Sequence, residues 1–313
     1  MVNALEIQGL VKSYGPCRAL AGLDLTVPVG SLFGLVGANG AGKTTMMSIC
    51  AGLLRPDAGR VDLLGEGAFD PQRHAGRVTI LPQDSRLPLH ARVQELLAFY
   101  GRLQGVPADV LSRQIAQLLQ WVNLGDRARD SVKSLSHGML RRLTVAQAFL
   151  GEPQLIFLDE PMSGLDPREV ARLRDMLRAR AGRQTIVISS HVLTELEVLC
   201  DRVAFIDHGW LLRQDLLSDM VRHHQRVTYH IRPAPVSLAE LRAAVPGAEW
   251  SVSGDGAELS VLLAAEHGGI AEVNARILPV LLRAGVAVEE VRRGSALERE
   301  FLQATDSRNR RNA

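Results

Sequence analysis

Lysine is almost missing from this 313-residue chain: Lys12, Lys43 and Lys133 are the only three, although Lys and Arg together number 36. The skew reads as a codon-composition effect, yet one of the three survives inside a glycine-rich loop. Cysteine is scarce as well. Cys17, Cys50 and Cys200 lie far apart, are odd in number and have no Cys or His at metal-ligand spacing, which excludes a disulfide framework and fits reduced, structural thiols. Charge of either sign is nearly balanced, at +2 net, and the basic residues are scattered, so no field directs the chain to nucleic acid or to an anionic membrane surface. Long apolar runs are absent too: none reaches the roughly 18 to 20 residues that cross a bilayer. The N-terminus MVNALEIQGLVKSYG lacks the charged and apolar stretches of a secretion signal, so a cytoplasmic chain is expected.

What is present is 46% apolar residue in a chain long enough for about two domains, which is sufficient for a sizeable core. The most specific segment is Gly37-Ala-Asn39-Gly40-Ala41-Gly42-Lys43-Thr44-Thr45, which satisfies G-x-x-x-x-G-K-[ST] at every specified position. It follows LFGLV (residues 32–36), an apolar run suited to a buried parallel strand, and opens TTMMSICAGLL (residues 44–54), which reads as a helix. Glycines let successive N–H groups and the positive helix end converge on phosphate oxygens. Lys43 adds a mobile charge for the β- and γ-phosphates, and the Thr44 hydroxyl is placed to ligate Mg²⁺.

The second constellation is QLIFLDEP (residues 154–161), an apolar strand that ends in two acids. Ligands of parallel α/β sheets bind at the carboxyl ends of strands. Because consecutive strand side chains alternate in direction, Asp159 is expected to face Mg²⁺ through water while Glu160 points elsewhere and polarises a water that attacks the γ-phosphate. Between loop and acids lies LSHGM (residues 135–139), a Ser-x-Gly turn followed by a helix reading from Met139 to Leu150. A Ser hydroxyl and backbone N–H groups at a helix N-terminus can bind a γ-phosphate; Ser136 as a plain helix cap explains the same local start.

The ordered set resembles the nucleotide-binding subunit of an ABC transporter over roughly residues 1–219. That resemblance implies an α/β phosphate-loop ATPase domain that binds ATP and Mg²⁺. It places Tyr14 in KSYG as the aromatic that stacks on adenine. Gln83 in ILPQD matches the glutamine that senses the γ-phosphate and Mg²⁺ and joins the core to a helical subdomain. Asp166 in SGLD matches a loop that communicates across a dimer, and is also suited to cap a helix beginning near Arg168. His191, after TIVISS, matches the switch histidine at the γ-phosphate. Glu160, His191 and Gln83 are thus the catalytic candidates, and Thr44, Gln83 and Asp159 the metal candidates. The family's usual signature is LSGGQ; here His137 and Met139 depart from it, while Ser136 and Gly138 retain the groups that act in trans on a partner's nucleotide. Variants of the SHGM type are familiar among ATPases of the ABC-2 export class.

Residues 84–150 resemble the inserted helical subdomain, with Val93, Leu96, Leu97, Tyr100 and Leu103 at helix spacing and a second helical pattern in SRQIAQLLQWV. In the family, the groove near the glutamine loop receives a short helix of a membrane subunit. From residue 220 to 305 the pattern reads strand-helix-strand-strand-helix-strand, a small ferredoxin-like α+β accessory domain, with a last short helix SALEREFLQAT. Residues 306–313, DSRNRRNA, read as a polar tail expected to be mobile. His223-His224 has no acidic or cysteine neighbours and reads as a surface pair.

The expectation is therefore an ATP-hydrolysing motor subunit on the cytoplasmic face of the cell membrane. It would pair with an identical or different ATPase chain and with separate membrane-spanning permease subunits, and the ABC-2 resemblance implies export. A soluble ATPase of the same class acting on ribosomes or DNA is the alternative, but such proteins usually carry two fused ATPase units or a long coiled coil, and this chain has one phosphate loop and no sustained heptads. A regulatory subunit that binds ATP without turnover is a further alternative, which the intact Asp159-Glu160 pair and His191 oppose. Substrates in this family are read by the membrane subunits.

Overall fold

Strands buried at every residue turn no face to water, and three such strands organise the larger part of the molecule. In the computed structural model, which describes residues 2–223, 225–232, 236–263, 267, 270–293 and 297, the chain divides into two compact units, Met1–Gln214 and Asp215–Ala313.

The first unit runs β1 (Asn3–Tyr14), β2 (Cys17–Pro28), β3 (Leu32–Val36), α1 (Lys43–Cys50), β4 (Ala58–Leu63), α2 (Pro71–His74), β5 (Val78–Leu81), α3 (Val93–Leu103), α4 (Ala108–Trp121), α5 (His137–Ala148), β6 (Leu155–Asp159), α6 (Pro167–Arg178), β7 (Thr185–Ser190), α7 (Leu193–Leu199), β8 (Arg202–Asp207) and β9 (Trp210–Leu216). β3, β6 and β7 are buried at every residue, as parallel strands covered on both faces must be. They sit in a six-stranded sheet of order β5-β6-β7-β3-β8-β9. Its parallel registers pair Val36 with Ser190 and Asp159 with Ser189, so the segments that follow β3, β6 and β7 emerge at one rim. β5 pairs with β6 up to Leu81↔Leu158, which brings the Gln83 turn to the same rim. This is where open α/β sheets bind ligands. A smaller antiparallel sheet, β2-β1-β4, shares one apolar core with the first, in which Leu5, Ile7, Leu20 and Leu23 pack with Phe33, Met46, Met47 and Phe157.

Helix ends depart from the sequence pattern where capping chemistry overrides it. α1 stops at Cys50 rather than continuing to Leu54. Gly52, at φ 73°, donates its N–H to Ile49 O (3.0 Å), and Leu53 N–H bonds Ser48 O at 2.8 Å, a Schellman termination. α5 begins two residues before Met139, because the Ser136 Oγ accepts from Met139 N–H (3.3 Å) and caps the helix there. α6 begins at Pro167, with Asp166 Oδ1 accepting from Arg168 N–H (2.9 Å) and Glu169 N–H (3.0 Å). On α3 the buried stripe is Val93, Leu96 and Leu97, while Leu103 is exposed.

The second unit contains α8 (Leu217–His223), β10 (Gln225–Ile231), α9 (Leu238–Ala244), β11 (Glu249–Val252), β12 (Glu258–Leu263), α10 (Ile270–Arg283) and β13 (Val288–Arg293), with sheet order β11-β12-β10-β13 and antiparallel pairing throughout. Val227, Tyr229 and Ile231 alternate along β10 and Leu259, Val261 and Leu263 along β12; both sets pack on Leu241, Val273, Ile277 and Leu281. The wholly buried Tyr229 donates its hydroxyl to Asn274 Oδ1 at 2.6 Å, so the one polar atom of a large core residue is satisfied. The segment SALEREFLQAT, apart from Leu297, lies outside the described residues, as do the tail and His224.

Candidate active site

The turn between β3 and α1 can form only because two of its glycines have no side chain. Gly42, the residue before α1, has φ 106°, and a Cβ there would stand 2.5 Å from Ala19 O and 2.8 Å from Leu20 Cδ2. A Cβ on Gly37 would lie 2.4 Å from Ile206 O. The loop is thus pressed against β2 and β8. Lys43 opens α1, is buried, and donates from Nζ to Gly37 O (2.6 Å) and Ala38 O (3.2 Å), which tethers the ammonium over the loop. Burial pulls its pKa below the usual lysine value, and the nearby Glu160 and Asp159 charges oppose that shift. Gly42→Ala should therefore weaken ATP binding by at least about tenfold and lower stability by about 1–3 kcal/mol, through a strained φ and a clash with β2; nucleotide titration and thermal melting check both.

One residue further on, the Thr44 Oγ1 donates to Asp159 Oδ2 at 2.6 Å. The other carboxylate oxygen, Oδ1, accepts from Ser189 Oγ at 2.5 Å. Asp159 is 1% exposed, so these hydroxyls stand in for water. Glu160 lies just past the end of β6 with φ 50°. Its direction is therefore not set by strand alternation, as the sequence pattern suggests, but by a left-handed turn, which costs a non-glycine residue about 1–2 kcal/mol. Ser189 Oγ accepts the Glu160 N–H at 2.9 Å, and Glu160 Oε2 lies 2.7 Å from His191 Nδ1. Next to His191, Ser190 Oγ donates to Glu195 Oε2 (2.9 Å), and burial raises the pKa of that carboxyl. Lys43, Thr44, Asp159, Glu160 and His191 thus form one connected group at the sheet rim. A cation that holds phosphate, an oxygen-only pair of hydroxyl and carboxylate, and a nearly buried carboxylate braced by an imidazole are together able to bind a nucleoside triphosphate and activate water against it.

Other candidates are placed but not joined to this group. Tyr14 ends β1 and is half exposed; Lys12 Nζ stands 6.0 Å from its ring centroid and 2.8 Å from Asp57 Oδ1, and Asp57 Oδ2 accepts Ser13 N–H at 2.7 Å, so the strand end is fixed. The Gln83 side chain is exposed, and its backbone carbonyl accepts from Arg141. Among the described residues, no hydrogen bond or ion pair joins Ser136, Gly138 or Asp166 to the phosphate loop. Those three belong together instead. The His137 ring lies over the Gly164 turn, where an added Cβ would be 2.9 Å from Nε2, and a Cβ on Gly138 would meet Leu165 and Glu169 at 3.7 Å. Arg142 Nε stands 2.8 Å from Glu169 Oε2, an ion-pair approach without hydrogen-bond alignment, so α5 and α6 are held side by side.

Sequence reasoning passes over Ser189, Arg141 and Glu195. A signal for Ser189 does exist: polar residues at the end of an apolar strand, TIVISS, mirror the acids that end β6. Arg141 leaves none, because an arginine in a helix reads as surface.

With this geometry in view, comparison with known proteins is specific. The ABC transporter family model matches residues 20–163. The chain is similar to the Daunorubicin/doxorubicin resistance ATP-binding protein DrrA of Streptomyces peucetius, 33% identical over 97% of this chain and 92% of that protein. It is also similar to the Nod factor export ATP-binding protein I of Ralstonia nicotianae, 37% identical over 70% of this chain and 69% of the relative. Among solved structures, an ATP binding subunit of an ABC transporter superposes with a TM-score of 0.63 at 26% identity, covering 70% of this chain and 92% of that one.

Proposed function

The chain belongs to the ABC transporter family of ATP-binding subunits, and from that premise we propose a motor in which two copies close on two ATP molecules, each held between the Lys43 loop of one copy and the Ser136 turn of the other. Membership makes the chain an ATPase. The observation that carries the proposed site is the 2.6 Å bond from Thr44 to Asp159, which brings phosphate loop and strand-end acids to one point from positions 115 residues apart. One chain carries the loop, both acids, His191 and Ser136, so two copies complete two sites.

Lys43 and the N–H groups that open α1 hold the β- and γ-phosphates. Glu160 orients a water against the γ-phosphorus and accepts its proton, while His191 fixes the Glu160 carboxylate and reaches the γ-phosphate. Thr44 and Asp159 fit Mg²⁺ through their oxygen-only donor set, with Gln83 as a further oxygen; the ion's contribution is to neutralise charge on the β- and γ-phosphate oxygens. Tyr14 stacks on the base, and Asp166 carries the state of one site to the other. Hydrolysis reopens the pair.

No helix among the described residues is long and apolar enough to cross a membrane, so transport requires separate permease subunits that hold the chain at the cytoplasmic face. A cavity of about 440 Å³, lined by Gln83, Arg86, Leu89, His137 and Leu140 among others, is the proposed seat of a permease helix. The names of the relatives, Nod factor export and drug resistance, support export as the direction. The second unit is the proposed accessory domain, and the match to DrrA over 97% of this chain supports its belonging to that subgroup. Affinity capture of the full chain from native membranes tests the assignment. The expected result is a polytopic membrane protein recovered with ATPase activity; recovery with ribosomes or nucleic acid instead would contradict it.

A further inference from the structure

Arg141 sits on α5, five residues beyond Ser136, and is 9% exposed. Its guanidinium has no carboxylate hydrogen-bond partner among the described residues. It donates to four backbone carbonyls instead: from Nε to Pro161 O (3.0 Å), from Nη2 to Asp159 O (3.1 Å) and Glu160 O (2.5 Å), and from Nη1 to Gln83 O (3.3 Å). Those carbonyls belong to the turn that carries both acids and to the glutamine turn. A buried cation is costly unless such bonds compensate it, so this position is more than helix packing. Only a planar fork with five N–H donors spans four acceptors at these angles; an ammonium does not.

The peptide units of Glu160 explain what the fork does. The residue sits in a left-handed conformation at φ 50°, and such strain persists only where neighbours over-determine it. Its N–H is held by Ser189 Oγ and its C=O by Arg141 Nη2. We infer that Arg141 is a positioning residue for ATP hydrolysis: it clamps the Glu160 turn so that the carboxylate faces His191 and the attacking water, and it ties that aim to the position of the Gln83 turn. The inference rests on Glu160 as the base.

Steady-state ATPase assays on the full chain, comparing Arg141→Gln, Glu160→Gln and the double variant, test it. Arg141→Gln should lower kcat by about 10²-fold, the usual consequence of a misaimed group, with KM for ATP unchanged within about threefold. Added to Glu160→Gln, it should cost no more than a further threefold or so, since both act on one group. Arg141→Lys, which keeps the charge and the bulk, should fall between, about tenfold below wild type. It decides the matter if thermal melting shows Arg141→Gln to be unfolded. A wild-type kcat in Arg141→Lys and in any folded Arg141→Gln, or losses that multiply in the double variant, would overturn the clamp while leaving Glu160 as base. Near-normal turnover in Glu160→Gln alone would remove the base and the clamp together.

Discussion

Glu160→Gln is expected to bind ATP with near-normal affinity and to hydrolyse it about 10²- to 10⁴-fold more slowly, the contribution typical of a general base. The substitution is nearly isosteric. It leaves the left-handed turn, the Ser189 bond to the Glu160 N–H and the Lys43 tether in place, so the phosphate loop has no reason to change. What it removes is the ability to take a proton from water at an oxygen now 2.7 Å from His191. Because ATP then persists, the closed pair should accumulate, and the mass in solution should double when ATP is added. Turnover assays and sedimentation of the same sample check the two halves of the expectation; near-normal turnover would take the base role away from Glu160.

Ser136→Arg should do the reverse of a phosphate-loop lesion: ATP affinity of the single chain stays, and turnover falls by about 10²-fold or more, the scale of losing one preorganised oxyanion donor. Two things in the structure set this expectation. Ser136 is exposed at the start of α5, with its hydroxyl on the helix cap, and no described hydrogen bond or ion pair connects it to its own chain's loop. Loss of the cap costs about 1 kcal/mol, a modest shift in melting temperature that accounts for none of the lost turnover. Parallel measurement of nucleotide affinity and hydrolysis separates the effects. A Ser136→Arg chain that no longer binds ATP would show that the segment serves its own chain's site.

Most of the group at the sheet rim is legible in the sequence because its parts obey local rules. A glycine-rich turn between a five-residue apolar strand and a helix, and two acids at the end of another such strand, predict their own positions once both strands are taken as neighbours in a parallel sheet. The helix ends are less legible, since a Schellman turn at Gly52 ends α1 four residues early and caps at Ser136 and Asp166 move two helix starts by one or two residues. Glu160 shows a different limit: alternation along a strand holds only while the strand lasts, and the residue stands one position past its end. Arg141 is illegible for a third reason, and Ser189 is only half legible, since its strand-end place shows in TIVISS while its partners do not. Their significance lies wholly in acceptors and donors supplied by distant segments, a backbone carbonyl at Gln83 and an N–H at Glu160, and no spacing within the sequence encodes those.

The central claim is that each site is completed in trans, and mixing two inactive chains tests it most directly. Lys43→Ala removes the loop's cation and Ser136→Arg spoils the segment offered to a partner. In a mixed pair, the loop of the Ser136→Arg chain faces an intact Ser136, so one of two sites is whole. Equal mixing gives about half mixed pairs, and the account predicts recovery of about a quarter of wild-type ATPase activity if the sites act independently. No recovery, with mixed pairs demonstrated by differential tagging, would contradict it.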